Sequence, residues 1–358
     1  MEKIWVLGIM SGTSLDGLDL ALCNFEFKKN KWKFEIEDAQ TVAYDLEWKL
    51  KLENAPNFSG YQLIHLHRSY AEFIGFQVNN FLKKCKSKPS IISSHGHTVF
   101  HEPHNKINFQ IGDGARIAAL TGITTVSDFR SLDISMGGQG APLVPIGDHL
   151  LFNEFEYCIN LGGFANISHL NEHNIRVAYD ICPVNIILNF FASQTGVAFD
   201  MNGELGRKGR IENSLLNNLN EISYYKLRPP KSLGKEWIDS VFMPILNQNE
   251  MSINDKLRTI YEHIALQIAG SLNEGINEVG SSKALITGGG AFNGFLIELI
   301  KNKTNMEIFL PEKKIIEYKE ALIFGFLGLL RIQNQINCLK SVTGAQFDNC
   351  GGQIFYIQ

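Results

Sequence analysis

The turn after the first predicted strand carries three hydroxyl side chains, a carboxylate and two glycines within Ser11–Gly17. Glycine lets backbone approach a ligand closely, and successive N–H groups in such a turn form an anion-binding concavity. We interpret the turn as a phosphate site, in which Asp16 could hold Mg²⁺ through its waters. The alternative is a hairpin turn with capping hydroxyls, and no Walker A sequence follows. The predicted site comprises Ser11, Gly12, Thr13, Ser14, Leu15, Asp16, Gly17, Leu18 and Asp19.

Two further glycine-rich turns follow predicted strands. Gly162-Gly163 follows a strand at Glu156–Leu161, and Gly288-Gly289-Gly290 lies between a strand at Ala284–Thr287 and a helix that begins at Asn293. A nucleotide can pack flat on such glycines, above the N-terminus of the helix. A tight strand-to-helix turn also favours glycine by itself, so this prediction depends on the pairing with the first turn.

Asp180 ends an apolar strand and precedes Ile-Cys-Pro-Val-Asn. A carboxylate at a strand end can work as a general base. It can equally cap the N-terminus of a helix that begins near Asn185. Spacing alone leaves both interpretations open.

A second polar group combines imidazoles with the pair Arg130 and Asp133, which follows a predicted strand. Irregular spacing, with no cysteine or carboxylate set nearby, favours hydrogen bonds to a polar substrate over structural zinc. Arg130 and Asp133 could grip substrate hydroxyls or pair with each other. The imidazoles are those of His95, His97, His101 and His104.

Composition limits the class of protein. The 358 residues include 33 Lys and Arg against 37 Asp and Glu, a balance that argues against nucleic acid as the main partner. The six cysteines form no CxxC pair, which indicates a reducing compartment. No secretory signal precedes Ile4–Met10, and the most apolar stretch, Ala321–Leu330, is too short to span a bilayer. We expect a cytoplasmic protein with no membrane partner.

The predicted elements form a coarse internal repeat. Strands at Ile4–Met10, Leu18–Phe25 and Lys31–Tyr44 precede helices and further strands, and the plan recurs from Glu156 onward, with a long helix at Asp255–Glu278. Both copies place a glycine turn after their first strand. We predict an α/β fold of two duplicated RNase H-like (actin-like ATPase) domains flanking a central cleft. The predicted limits are 1–140 plus 318–358 for the first domain and 141–317 for the second.

Motifs over essentially the whole chain, in this order, resemble the anhydro-N-acetylmuramic acid kinase family. The motifs are Gly8–Asp19, Ser94–Pro103, Phe109–Asp113, Val126–Asp133, Gly138–Pro145, Asn160–Ser168, Pro229–Glu236, Gly288–Asn293 and Val342–Ala345.

The resemblance implies a bacterial enzyme of cell-wall recycling, a homodimer that opens 1,6-anhydro-N-acetylmuramic acid with ATP, Mg²⁺ and water. The product is N-acetylmuramic acid 6-phosphate, and the family's base falls on Asp180. ATP would bind the glycine turns named above, and Asn293 with them. The sugar contacts implied are His97, Arg130, Asp133 and Asn166, and either Glu317 or Glu320 would reach the cleft.

The sequence departs from the family pattern in places. The usual Thr-Gly-Pro after the base is Ile181-Cys182-Pro183, which we expect to put a thiol close to phosphate. His97 stands where Gln is usual, and Gly206-Arg207 replaces a small pair. Two other hypotheses remain: a kinase of an ordinary sugar hydroxyl with Asp180 as base, and a nucleotide-dependent binding protein with little turnover, which Cys182 makes conceivable.

Overall fold

The computed structural model describes residues 3–12, 14–247, 250–273 and 282–357. Its strands are β1 (Ile4–Ser11), β2 (Gly17–Lys28), β3 (Lys31–Ala43), β4 (Ile91–Ser94), β5 (His97–Glu102), β6 (Ile107–Ile111), β7 (Thr124–Ser127), β8 (Tyr157–Leu161), β9 (Phe164–Leu170), β10 (Arg176–Pro183), β11 (Lys283–Thr287), β12 (Glu307–Phe309) and β13 (Gln353–Phe355). Its α-helices are α1 (Leu46–Asn54), α2 (Gly60–Leu82), α3 (Gly114–Thr121), α4 (Ser131–Ser135), α5 (Val144–Leu151), α6 (Asn185–Ser193), α7 (Glu204–Lys208), α8 (Asn213–Asn220), α9 (Lys235–Trp237), α10 (Met243–Leu246), α11 (Ile253–Asn273), α12 (Gly294–Lys301), α13 (Lys313–Ile332) and α14 (Lys340–Thr343).

The chain divides into two compact units: unit 1, residues 1–152 with 318–358, and unit 2, residues 153–317. The sequence-based limits assign helix α5 to the second domain. In the structure α5 lies in unit 1, where Asp148 pairs with Lys319 at 2.7 Å, and the adjoining Phe152 ring contacts Phe34. The domain limits themselves stay a prediction.

Unit 1 is built on a mixed sheet in the order β13-β7-β4-β1-β2-β3. Strands β1, β2 and β3 form an antiparallel meander, and β4 and β7 add in parallel on the other side of β1. The strands predicted for this meander are confirmed, because alternating apolar residues specify a half-buried strand. Strands β5 and β6 form a separate two-stranded ribbon.

Helices cover both faces of the unit 1 sheet. Leu7 and Ile9 on β1 join the core that α2 completes with Tyr70 and other apolar residues. On the opposite face Gly8 lies so close to α13 that a Cβ would overlap the carbonyl of Ala321. Only glycine allows this approach of the helix to the strand.

Unit 2 is built on a mixed sheet in the order β10-β9-β8-β11-β12. Strands β8, β9 and β10 form an antiparallel meander, and β11 and β12 continue in parallel beside β8. Apolar residues of helices α6, α11 and α12 complete the core on this sheet. The helix predicted at Asp255–Glu278 is confirmed as far as Asn273, and its remainder lies outside the described residues.

Each unit therefore adds parallel strands to the first strand of an antiparallel meander, and the predicted α/β class is confirmed. Among the helices described, none is long and apolar enough to cross a membrane.

Candidate active site

Three parallel strands of unit 1 each end in serine: β1 at Ser11, β4 at Ser94 and β7 at Ser127. In open α/β sheets, ligands bind outside the carboxyl ends of such strands. The predicted phosphate turn, the His95-Gly96 pair and the segment leading to Arg130 all begin at this edge.

The phosphate turn exposes Ser14 and Asp16 to solvent, whereas Thr13 lies outside the described residues. Leu15 has a left-handed φ of 58° and donates its N–H to Gly12 O at 3.3 Å. Gly17 has a packing role, because a Cβ there would lie 2.6 Å from the Val42 carbonyl oxygen on β3. The exposed residues of the turn are therefore accessible to an anion, while Gly17 fixes the end of the turn to the sheet.

The end of the turn is followed by Leu18 and Asp19 on β2. Leu18 is buried in the core of unit 1, so its side chain cannot contact a nucleotide. Asp19 lies on the other face of the sheet and accepts a hydrogen bond from Thr41 Oγ1 at 2.6 Å. Of these two predicted ligand residues, only Asp19 presents a polar side chain.

Arg130 is held by His95 and Gly140. Its Nε and Nη2 atoms approach His95 Nε2 at 3.2 and 2.8 Å, and Nη1 donates to Gly140 O at 2.6 Å. His95 Nδ1 lies 3.0 Å from Gly96 O, so His95 is the neutral Nδ1–H tautomer. Burial, and then the charge of Arg130, hold the pKa of His95 well below its usual value. Burial lowers the pKa of Arg130 to about 10, which leaves it charged at neutral pH.

Asp133 is completely buried, with 0% of its surface exposed. Its Oδ2 accepts the Gly140 N–H at 2.8 Å. Its Oδ1 accepts hydrogen bonds from Cys338 Sγ at 3.0 Å, Thr343 Oγ1 at 2.8 Å and Asn349 Nδ2 at 2.9 Å. Asp133 therefore ties the C-terminal segment to the loop before α5, and neither oxygen is open to a sugar. Arg130 and Asp133 hydrogen-bond the backbone of the same residue, Gly140, at its carbonyl and its N–H respectively.

The four predicted imidazoles are dispersed. His97 bonds Ser11, His95 bonds Arg130, and His101 Nδ1 lies 3.4 Å from Asn108 Oδ1. His104 lies in a short turn between β5 and β6. Within the described part of the chain, no group of three or more His, Cys, Asp or Glu side chains is placed to hold a metal ion.

A cavity of about 190 Å³, lined by both polar and apolar groups, opens at the carboxyl ends of β4 and β7. Histidine, carboxylate, hydroxyl and amide groups line it, a combination that suits a hydroxyl-rich ligand. The polar lining includes His67, His95, Gln110, Asp113, Asp128 and Ser131.

Glu317 and Glu320 lie near the start of α13 in different surroundings. Glu317 forms an ion pair with Lys313 at 3.5 Å. Desolvation raises the pKa of Glu320, although part of its side chain reaches solvent; the charges of Lys319 and Arg130 lower this pKa, and that of Asp19 raises it. Glu320 is thus the member of the pair that interacts with other predicted site residues of unit 1.

In unit 2, the strand register aligns three polar residues across the sheet. Asn160 on β8 pairs with Asn166 on β9, and Asn166 pairs with Asp180 on β10. Directly opposed residues in an antiparallel sheet project from the same face, with Cβ atoms roughly 5 Å apart. The predicted base and the predicted sugar contact Asn166 are therefore neighbours. Sequence reasoning missed Asn160, which the register of β8 and β9 reveals.

Asp180 is half-buried and held on one side. Its Oδ2 accepts the Leu233 N–H at 2.9 Å, whereas no described residue hydrogen-bonds Oδ1. Its backbone carbonyl accepts the Tyr224 hydroxyl at 2.7 Å. Burial raises the pKa of Asp180, and the Leu233 N–H partly offsets this effect. Val184 is the N-cap residue of α6, so Asp180 does not cap that helix.

A β-bulge separates Asp180 from Cys182. Bulges re-aim side chains beside functional sites. Cys182 is completely buried in the unit 2 core, and burial raises the pKa of its thiol. The expectation that this thiol would approach phosphate is wrong for the side chain, because the bulge directs it inward.

The glycine turns of unit 2 converge on the end of β8. A Cβ at Gly288, where φ is 82°, would lie 2.6 Å from Asn160 Oδ1, and one at Gly290 would lie 2.7 Å from Leu161 Cβ. Gly162 O and Gly163 O accept N–H groups from the start of α6. A flat surface of backbone therefore lies next to the polar row of Asn160, Asn166 and Asp180.

The remaining turn residues of unit 2 have different surroundings. A Cβ at Gly289 would meet only the Asn185 amide, at 3.7 Å, so Gly289 is the most open of the three glycines. Asn293 is the N-cap of α12, where its Oδ1 accepts the Leu296 N–H at 3.1 Å, and its Nδ2 donates to Tyr261 OH at 2.7 Å. The Asn293 side chain is therefore engaged in fixing the helix beneath the glycines.

Comparison with known proteins gives a consistent family. A family model described as anhydro-N-acetylmuramic acid kinase matches residues 4–357. A protein of that name from Mannheimia succiniciproducens is 35% identical, covering 99% of this chain and 100% of its own length. A second from Sulfurovum sp. is 33% identical with 99% and 100% coverage, and a third from Haemophilus influenzae is 32% identical with 99% and 98% coverage.

We predict that Asp133→Asn lowers the free energy of unfolding by about 2–4 kcal/mol, because an amide would turn a donor toward groups that donate to Asp133. Urea unfolding measures the loss, with Asp16→Asn, the same change at an exposed position, as a control of near wild-type stability. If Asp133→Asn keeps wild-type stability but fails to bind sugar, Asp133 contacts substrate after all.

We also predict that kcat/KM falls at acid pH with a midpoint above the ordinary Asp pKa of about 3.9, because the raised pKa of Asp180 protonates the base earlier. Burial lowers the pKa of His97 to about 4, so His97 also titrates at acid pH and must be distinguished from Asp180. A pH profile of His97→Gln checks the assignment: the acid limb persists if it belongs to Asp180 and disappears if it belongs to His97.

Proposed function

This chain belongs to the anhydro-N-acetylmuramic acid kinase family, and we propose that it converts 1,6-anhydro-N-acetylmuramic acid, ATP and water into N-acetylmuramic acid 6-phosphate and ADP. The observation that carries the proposal is Asp180. One oxygen of this carboxylate is held by a backbone N–H and the other is open, and the carboxylate stands in a polar row beside glycine turns.

The substrate explains why a base for water is needed. Its O6 is tied into an internal acetal and carries no proton, so the hydroxyl activation of an ordinary kinase cannot operate. Asp180 takes a proton from water, and the water oxygen bonds to C1. The C1–O6 bond breaks with its electron pair on O6, and O6 then bonds to the γ-phosphorus as the bond to ADP breaks.

Unit 2 orients the base and supplies backbone for the nucleotide. The Leu233 N–H fixes Oδ2 of Asp180, which leaves Oδ1 for the attacking water. Burial raises the pKa of Asp180, which makes it a stronger base than an exposed aspartate. Gly288–Gly290 and Gly162-Gly163 present backbone on which ATP can lie. Asn166, beside Asp180, is placed to bind a sugar hydroxyl.

Unit 1 supplies the phosphate turn and cationic charge. Ser14 and Asp16 are open at the turn, and Arg130 is charged and partly buried near its edge of the sheet. Magnesium usually takes one or two carboxylates and keeps several waters, a demand that Asp16 and Asp19 fit. The ion would neutralise phosphate charge during transfer. The cavity beside His95 supports sugar binding in this unit.

We propose in addition that the two units are the duplicated RNase H-like domains expected from the sequence. The shared strand order of the two units supports a duplicated RNase H-like domain, and the cleft between the domains stays a prediction. A role in peptidoglycan recycling accompanies this function, whereas the homodimer implied by the resemblance and the cytoplasmic location expected from the sequence stay predictions.

We predict that the wild-type protein releases ADP with 1,6-anhydro-N-acetylmuramic acid as the sole sugar, and that Asp180→Asn lowers kcat by about 10²–10⁴-fold. The amide cannot accept the proton of water, although it fills the same space. A coupled ADP assay measures both rates, and calorimetric titration of ATP shows that the variant still binds nucleotide.

Asp239→Asn, an exposed carboxylate of the same unit, is the matched control and keeps full activity. N-Acetylmuramic acid, whose O6 carries a proton, is the control substrate and gives no turnover. Turnover of that sugar in preference to the anhydro form would indicate an ordinary hydroxyl kinase. ATP binding without sugar-dependent turnover would indicate the binding-protein hypothesis.

A further inference from the structure

A chain of buried hydrogen bonds runs from α2 to the phosphate turn. The hydroxyls of Tyr70 and Tyr44 are 2.6 Å apart, and Tyr44 OH lies 2.7 Å from Ser11 Oγ. Ser11 Oγ lies in turn 2.9 Å from His97 Nδ1. All four side chains are almost completely buried. Their positions in the chain are far apart, so only the tertiary fold assembles this series.

The hydroxyl groups of this series donate their hydrogen bonds in one favourable direction, from Tyr70 toward His97. Tyr70 OH is buried; Tyr44 OH lies 2.6 Å from it, and the Ser11 hydroxyl also interacts with it. A buried O–H proton without an acceptor is costly, so Tyr70 donates to Tyr44. Tyr44 then donates to Ser11, and Ser11 donates to His97 Nδ1, because each hydroxyl has a single proton.

An Nδ1 that accepts a hydrogen bond fixes the tautomer of a neutral imidazole. We propose that Tyr70 and Tyr44 are positioning residues that hold His97 as the Nε2–H tautomer, so that His97 donates a hydrogen bond to an uncharged oxygen of the sugar. The identity of the ligand, a sugar, rests on the proposed function, whereas the tautomer of His97 is inferred from the hydrogen bonds alone.

The surroundings of His97 support a neutral donor. No described residue hydrogen-bonds its Nε2, so this N–H remains available for a ligand. Burial lowers the pKa of His97 to about 4, so the ring is uncharged at neutral pH. A neutral N–H suits a hydroxyl or an amide carbonyl, whereas phosphate is usually met by charged groups and backbone N–H groups.

His95 provides an internal contrast. Its Nε2 accepts from Arg130 and its Nδ1 faces the Gly96 carbonyl, so it is the opposite tautomer two residues away. A nitrogen NMR spectrum of the protein should therefore contain signals of both imidazole tautomers. The hydrogen-bond partners determine the tautomer of each ring: Arg130 and Gly96 for His95, and Ser11 for His97.

Nitrogen NMR of histidine-labelled protein tests the tautomer directly, with His97→Gln used to assign the signals. We expect His97 to show an unprotonated Nδ1 and a protonated Nε2, the reverse of His95. Tyr44→Phe should convert the His97 signals to a tautomer mixture. A protonated Nδ1, or no change in Tyr44→Phe, overturns the proposal, and neither measurement requires turnover.

Kinetics test the role in sugar binding. Tyr44→Phe should raise the KM for the sugar about 10-fold and leave the KM for ATP unchanged, the loss of one neutral hydrogen bond. In a His97→Gln background the same change should cost less than about 2-fold, because an amide does not depend on a ring tautomer.

Tyr61→Phe, at a tyrosine of α2 that is 82% exposed, is the control and should leave both constants unchanged. An equal cost of Tyr44→Phe in both backgrounds means a purely structural role and overturns the proposal, as does a rise confined to the KM for ATP. Failure of the proposed function would appear separately, as absence of sugar-dependent ADP release by the wild type.

Discussion

Strands β8, β9 and β10 pair in a register that carries Asn160, Asn166 and Asp180 to one face of the unit 2 sheet. A slip of one residue would turn the whole row to the other face and bury the carboxylate. The bulge after Asp180 adds a second constraint, because it lets the carboxylate face outward while the Cys182 thiol packs in the core. In the proposed mechanism, catalysis therefore depends on the pairing of three strands.

Desolvation sets the charge of the groups that surround this chemistry. It keeps His95 and His97 neutral and raises the pKa of Asp180, while Arg130 retains its charge. The hydrogen-bond partners then decide which nitrogen of each ring is a donor. In unit 1, burial and local partners together define the protonation of His95, His97 and Arg130 at neutral pH.

The sequence predicts the meanders of both units well, because alternating apolar residues and glycine turns are local signals. It does not predict the function of Asp133, whose partners Cys338, Thr343 and Asn349 lie far along the chain. The β5–β6 ribbon and helix α1 were missed, because short polar elements carry little periodicity. Asp180 could be located from sequence, but excluding it as the cap of α6 required the position of Val184.

Attack of water on C1, activated by Asp180, is tested most directly by running the reaction in water labelled with heavy oxygen. The product must be analysed at early times, before the free C1 hydroxyl exchanges with solvent. We expect one labelled oxygen at C1 and an unlabelled oxygen between C6 and phosphorus. An unlabelled C1, or a label in the phosphate ester bridge, would contradict the mechanism.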